Sequence, residues 1–415
     1  MSSFEMTALF LTLVAVTGWL NARTLKLPHG VAMLFVGMAG AIAILALGRI
    51  APSFAHQVLA AATGANFAQT VLGYLLAFLL FAGAMQVDLA ELRRRTLSVW
   101  TLATLGVVAS TVIVGVGLWL LAEGLGLSLP LPWALVFGAL ISPTDPIAVL
   151  AAVRHGHLSG ALRAILQGEA LFNDGVGIVV FTALVAFASG AAPSPLQALT
   201  SVFVQSAGGL ALGSIAGFVV VRAMHAIDDF IVEVTLTLAL ATGVYAGAQA
   251  LHLSGPIAVV GAGLLIGDEH TRAAMTETTH AYLRSFWTLV DEVLNALLFL
   301  LLGLQLFTMA LQPHLAGFCL GAAALVLATR FAIVLPWGAF LHLRREERGA
   351  NVILAWGGLH GALSVALALS LPPGPARPLI LAATYAVATI SVALQGLTFA
   401  PLTRWLDGRR RKAAS

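Results

Sequence analysis

The chain has 415 residues, of which 60% are hydrophobic and 9% charged, with a formal net charge of +3. A soluble domain carries about 25% charged residues, so a soluble globular protein is excluded, and a mean hydropathy of +0.97 marks an integral membrane protein for most of its length. The single cysteine, Cys319, excludes an intrachain disulfide and a Cys-based metal cluster.

Apolar runs of about 20 residues predict thirteen spans, near 5–22, 29–47, 68–87, 97–122, 131–153, 163–188, 196–221, 230–250, 255–267, 286–310, 315–341, 350–371 and 377–403. Residues 7–21 could pass for the core of a signal peptide, but Glu5 precedes them and Arg23 and Lys26 follow. That is the pattern of a first span that starts outside. Thirteen spans put eighteen of the twenty-one basic residues on one side, including Arg93, Arg94, Arg95, Arg344, Arg345 and the tail from Arg404 to Lys412. The asymmetry predicts an N-terminus outside and a C-terminus in the cytoplasm. After Trp405 only a short basic tail remains, so no appended regulatory domain is expected.

The halves resemble each other. Leu25-Lys26-Leu27-Pro28-His29-Gly30-Val31-Ala32 matches Leu251-His252-Leu253-Ser254-Gly255-Pro256-Ile257-Ala258, and Gly83-Ala84-Met85-Gln86 is echoed by Gly303-Leu304-Gln305. These matches pair span 2 with 9 and span 3 with 10. An offset of seven spans is odd, which makes the repeats inverted, an arrangement characteristic of secondary transporters with sites where broken helices meet.

The fifth span contains Ser142-Pro143-Thr144-Asp145-Pro146. A Thr or Asp before Pro is a helix N-cap signal, yet it falls in mid-span, and neither flank alone crosses roughly 30 Å of hydrocarbon. A helix broken around a protein-lined cavity is expected. The repeat then predicts a second break in span 12, where Gly357, Gly358 and Gly361 surround His360. Span 6 carries Glu169, Asn173 and Asp174; the first two share a helical face, and Asp174 lies about 100° round from Asn173. Counted from the cytoplasmic basic markers, Asp145, Asp174, Arg330 and His360 all come out roughly 13–21 Å deep. A charge at that depth costs at least about 2.5–3.5 kcal/mol, so three carboxylates there imply a use, and moving a cation or a proton is the natural one. Arg330 requires a partner, for which Glu169 is the candidate, leaving Asp145 and Asp174 on the cavity. Gly209, Gly213 and Gly217 in span 7 read as close helix packing or a dimer contact, and Asp291, Glu292 and Asn295 read as a solvated rim of span 10.

Thr144-Asp145-Pro146 in a broken span, Glu169 with Asn173-Asp174, Arg330 and the Gly-Gly-Leu-x-Gly-Ala run at 357–362 together resemble the NhaP/NHE-type sodium–proton antiporters over nearly the whole chain. The resemblance implies an all-α polytopic membrane protein of about 13 transmembrane helices, in two inverted repeats with broken crossing helices, the NhaA-like antiporter fold. It implies scaffold segments 1–96 and 191–313, core transport segments 97–190 and 314–403, and a cytoplasmic tail 404–415. By the same resemblance Asp174 binds the cation or a proton, while Asp145, Thr144, Asn173 and Glu169 shape the site and Arg330 pairs with Glu169. It further implies electroneutral one-for-one exchange by an elevator movement in a homodimer of the inner membrane, without cofactor or nucleic acid. Relatives commonly place Arg or Lys where this chain has His360, which makes His360 a candidate modulator of pH dependence.

Desolvation penalises an ionised carboxylate, so a proton and a cation are alternative ways of neutralising Asp174. Coordination is expected from the Asp174 carboxylate, a backbone carbonyl freed near Thr144, and water held by Asn173 and Asp145. The residues leave Na⁺, Li⁺ and K⁺ open. An intramembrane aspartyl protease would require Gly-x-Gly-Asp where Leu-Phe-Asn-Asp stands at 171–174; a passive channel would move the cation without a counter-transported proton.

Overall fold

In lipid every backbone polar group must find its partner within the segment, so apolar runs of this length fold as helices. The computed structural model describes residues 3–47, 75–145, 159–190, 195–269, 271, 275–308, 313–340 and 349–414. The longer described helices are α1 (Ser3–Arg23), α2 (His29–Leu47), α3 (Leu76–Met85), α4 (Leu89–Arg94) and α5 (Thr96–Gly124). They continue with α6 (Leu131–Ile141), α7 (Gly160–Ala188), α8 (Pro195–Met224), α9 (Phe230–Ala250) and α10 (Gly255–Ile266). The last are α11 (Glu277–Thr308), α12 (Ala316–Phe340), α13 (Ala350–Trp356), α14 (Ala362–Leu369) and α15 (Arg377–Leu406).

Each expected span meets a helix, α4 being a short element between spans; the parts of spans 3 and 5 at 68–74 and 146–153 lie outside the described residues. Span 10 begins nine residues early, at Glu277, because a mixed polar turn precedes its apolar run. Seven described helices are long and apolar enough to cross a membrane, and exposed Leu105, Leu120, Phe203, Ile215 and Phe218 give them lipid-facing flanks. The chain is a multi-pass integral membrane protein.

Helix starts follow local chemistry. Asp229 accepts from the Ile231 and Val232 N–H groups at the head of α9, Ser254 accepts from Ile257 at the head of α10, and Ser159 accepts from Leu162 at the head of α7. Of the apolar clusters among the described residues, two are the largest. One gathers Phe137, Phe299 and Phe318; the other gathers Phe81, Tyr245 and Trp287.

The internal repeat has a counterpart in the backbone. Lys26 and His252, aligned by the sequence match, both adopt the left-handed region at φ 50° and 56°. Farther along the same register, Gly37 of α2 lies against the Leu300 carbonyl and Gly303 of α11, while Gly263 of α10 lies against the Phe81 carbonyl and Ala84 of α3. These are the same contacts made twice. The glycines of α8 are also accounted for: Gly209, Gly213 and Gly217 face Ser254, Ala258 and Ala262 of α10. They serve packing within the chain, which corrects the dimer-contact alternative.

One ion pair ties α7 to α12. The Arg330 guanidinium donates through Nη1 to Glu169 Oε1 and through Nη2 to Glu169 Oε2 at 2.9 Å, and Nη2 also donates to the Leu354 carbonyl of α13 at 3.2 Å. Glu169 is 2% exposed and Arg330 13%, so each group depends on the other.

Two outcomes test this packing. Gly37→Val drives a branched side chain into the α11 backbone and should destabilise the detergent-purified protein by about 1–3 kcal/mol. Gly243→Ala, which points into open space, should leave the melting midpoint where it is. Glu169→Gln leaves a buried guanidinium without its counter-charge, and thermal melting should report a loss of about 3–5 kcal/mol. An unchanged midpoint would show that the pair does not hold α7 to α12.

Candidate functional site

Span 12 is interrupted, α6 of span 5 ends early, and the two non-helical segments meet. α6 ends at Ile141, the Ser142 N–H makes its last turn's bond to the Ala139 carbonyl, and Pro143-Thr144-Asp145 run on outside the helix. α13 ends at Trp356 and α14 begins at Ala362, leaving Gly357 to Gly361 between them. Where the two segments cross, the Asp145 N–H donates to the Leu359 carbonyl at 2.7 Å, forming an isolated antiparallel bridge. Gly361 lets the two segments approach, because a Cβ there would press on the Asp145 carboxylate.

An interruption at membrane depth leaves peptide groups that cost several kcal/mol each unless paired. Neighbouring helices supply the partners. On the first segment, the Asn173 Nδ2 donates to Thr144 Oγ1 at 2.8 Å and its Oδ1 accepts from the Thr144 N–H at 3.4 Å. On the second, the His360 N–H donates to Ser391 Oγ at 3.0 Å, and Gln395 Nε2 donates to the Trp356 carbonyl at 3.0 Å. Ser391 and Gln395 are the ends of a π-helical turn in α15, so the wider turn aims both side chains at the break. The His360 ring lies between the two segments, with Nδ1 donating to the Pro143 carbonyl at 3.2 Å.

Three of the polar residues of α7 point in three directions. Glu169 points to Arg330, Asn173 to the Thr144 loop, and Asp174 into a cavity of about 80 Å³. That cavity is also lined by Asp145, Thr144, Gly361 and Ser364, with Leu76, Leu79, Leu80 and Gly83 of α3 opposite. It has room for a cation and a few waters. Asp174 and Asp145 are close enough for their charges to interact. Carboxylate and hydroxyl oxygens are the ligand set of hard monovalent and divalent cations.

The structure thus brings Asp174, Asp145 and Thr144 to one cavity. Asn173 adjoins it as a latch on Thr144, 1% exposed. Glu169 and Arg330 satisfy each other away from it, and His360 lies on the far side of the crossing, where a smaller cavity is lined by Arg330, Gly358 and His360. One correction concerns α11. Asp291 and Asn295 are not a solvated rim: both line the cavity beside Asp174. Asp291, Asn295 and Leu298 are spaced i, i+4 and i+7 and share one helical face, and the packing of α11 against α2 and α3 turns that face to the cavity. A second cavity of about 1170 Å³, lined by Phe181, Gln205, Tyr245, Gln249 and Arg377, shares Leu76 with the first.

Known proteins give this geometry a context. Residues 10–405 match the family described as sodium/hydrogen exchanger, transmembrane. The chain is 40% identical to the Na(+)/H(+) antiporter NhaP of Pseudomonas aeruginosa over 96% of each protein. It is 34% identical to the Na(+)/H(+) antiporter NhaH of Halobacillus aidingensis, again over 96% of each. Its fold matches the solved structure of the sodium proton antiporter MjNhaP1 from Methanocaldococcus jannaschii at pH 8, with a TM-score of 0.74, 20% identity and 98% of each chain covered. With a family match spanning the apolar length of the chain and relatives aligned nearly end to end, this protein belongs to the transmembrane sodium/hydrogen exchanger family.

Proposed function

We propose that this chain is a secondary active antiporter that exchanges Na⁺ for H⁺ across the cell membrane, one for one, with cation and proton competing for Asp174. The observation that carries the reading is the placement of Asp174 and Asp145 on one cavity where two interrupted helices meet. The relatives named Na(+)/H(+) antiporters, aligned over 96% of the chain, support the choice of Na⁺; Li⁺ and K⁺ suit the same oxygen ligands.

The mechanism follows from charge. Asp174 carries either a proton or a cation, with Asp145, Thr144 and cavity water completing the cation's shell and Asn173 fixing the Thr144 loop. The empty carboxylate would cross the apolar barrier as an uncompensated charge, at a cost of several kcal/mol. Only the loaded forms therefore pass, and exchange is coupled. Access alternates as the interrupted helices and their partners, segments 97–190 and 314–403, move as a body against scaffold segments 1–96 and 191–313. Glu169 and Arg330 stay paired throughout, and His360 acts on pH dependence through its contact with Pro143 rather than through the cation. The chain works as a homodimer in the inner membrane, with its N-terminus outside and its C-terminal tail in the cytoplasm.

The test is a pH-gradient assay in proteoliposomes, with Na⁺, Li⁺ and K⁺ added in turn. Wild-type protein should dissipate the gradient on addition of Na⁺, and Asp174→Asn should reduce the response to that of protein-free vesicles. Retained exchange in D174N refutes the mechanism. A response to K⁺ with none to Na⁺ moves the protein to potassium–proton exchange on the same site.

A further inference from the structure

The cavity has one wall that this mechanism leaves unused. It is formed by α11, whose Asp291 and Asn295 face Asp174 and Asp145. The Asp291 carboxylate is held by Asn295, whose Nδ2 donates to its Oδ1 at 2.8 Å. That partner is a neutral amide, so it orients the carboxylate without cancelling its charge. Asp145 and Glu292 are near enough to repel it.

A third carboxylate in so small a space opposes the other two, and the repulsion is relieved by a proton or by a cation in the cavity. Its position distinguishes it from them. Asp174 and Asp145 belong to the interrupted-helix assembly, whereas α11 packs along α2 and against α3, through the close approach of Gly37 and Gly303. A movement of the interrupted helices carries Asp174 away from Asp291.

We infer that Asp291 is the stationary carboxylate of the exchange site: it draws a monovalent cation from the cytoplasmic approach into the cavity and passes it to Asp174, and it does not travel with the ion. The inference rests on the reading of Asp174 as the carrier and on the orientation proposed above. Asp291 lies on the cytoplasmic half of its span, fourteen residues beyond Glu277 at the head of α11. The cation keeps its single charge throughout; the proton leaving Asp174 goes to cavity water, and Asp291 holds the cation only until that release. Clefts of one sign raise the local concentration of counter-ions, so Asp291 acts on apparent affinity, and only from the side on which the cavity opens.

Inverted and right-side-out membrane vesicles carrying the full chain separate the two faces. With Na⁺ on the cytoplasmic face, Asp291→Asn should raise the KM for Na⁺ roughly tenfold with the maximal rate largely retained, and the KM from the opposite face should not move. Asp291→Glu, which keeps the charge and both acceptor oxygens, should bring the KM back towards wild type. A D291N protein with wild-type KM on both faces overturns the inference. So does a D291N protein as inactive as D174N, since that makes Asp291 part of the carried site, or a D291E protein with the same KM as D291N, since packing rather than charge is then at work. Wild-type vesicles that move no protons on Na⁺ addition overturn the exchange reading and this inference with it; a change confined to D291N leaves the exchange reading standing.

Discussion

The hydrogen bond from the Asp145 N–H to the Leu359 carbonyl, 2.7 Å long, joins two spans at the point where each stops being a helix. Everything at the site depends on it. An open peptide group in hydrocarbon costs several kcal/mol, so a helix can break in mid-membrane only where another chain segment takes up its orphaned donors and acceptors. Here the takers come from three further places: Asn173 on α7, and Ser391 and Gln395 on α15. The crossing cannot shift relative to these helices without losing several bonds at once. Whatever moves during function must move with α7 and α15 attached, and that includes Asp174.

Other close helix contacts are made by missing side chains: Gly37 against α11, Gly263 against α3, and the glycine row of α8 against α10. Lipid tails are as apolar as leucine, so helices in a membrane gain little by burying hydrophobic area against each other; close van der Waals approach takes its place. The same contact appears in both halves of the repeat. Glycine packing thus joins α2 to α11 and α10 to α3 and α8, and hydrogen bonds around the break hold the crossing to α7 and α15.

Most of the architecture was legible because the strongest signals are crude ones. Twenty-residue apolar runs locate the spans, and Pro146 after Asp145, or three glycines around His360, locate the breaks. The pairing of Arg330 with Glu169 could be reasoned from the cost of a lone guanidinium, although the sequence does not say which acid it takes. What stayed hidden depends on rotation about a helix axis. Asp291 and Glu292 are adjacent, and their position near the start of the apolar run of span 10 suggested a rim; only the packing of α11 against α2 and α3 turns Asp291 inward. The role of Ser391 and Gln395 was hidden for a similar reason. At a spacing of four they look like an ordinary polar pair on a helix, and the π turn that aims them at Trp356 and His360 has no sequence signature.

α7 shows how position decides the fate of like residues. Glu169 and Asp174 stand five residues apart on one helix, both at membrane depth. Glu169 has a fixed cation in bidentate contact, so its charge is cancelled permanently and it has nothing to offer an ion. Among the described residues Asp174 has no such ion pair, and Asp145 on the same cavity repels it. Between them Asn173, which could have been a second acid, is a neutral amide already committed to Thr144 through both its donor and its acceptor. Of these three positions on α7, one is neutralised, one is occupied, and one is left to be satisfied by whatever enters the cavity. On the proposed mechanism this arrangement sets the stoichiometry. A single unsatisfied negative charge on α7 is matched by one proton or by one monovalent cation, and the loaded states of either kind carry the same net charge across the membrane.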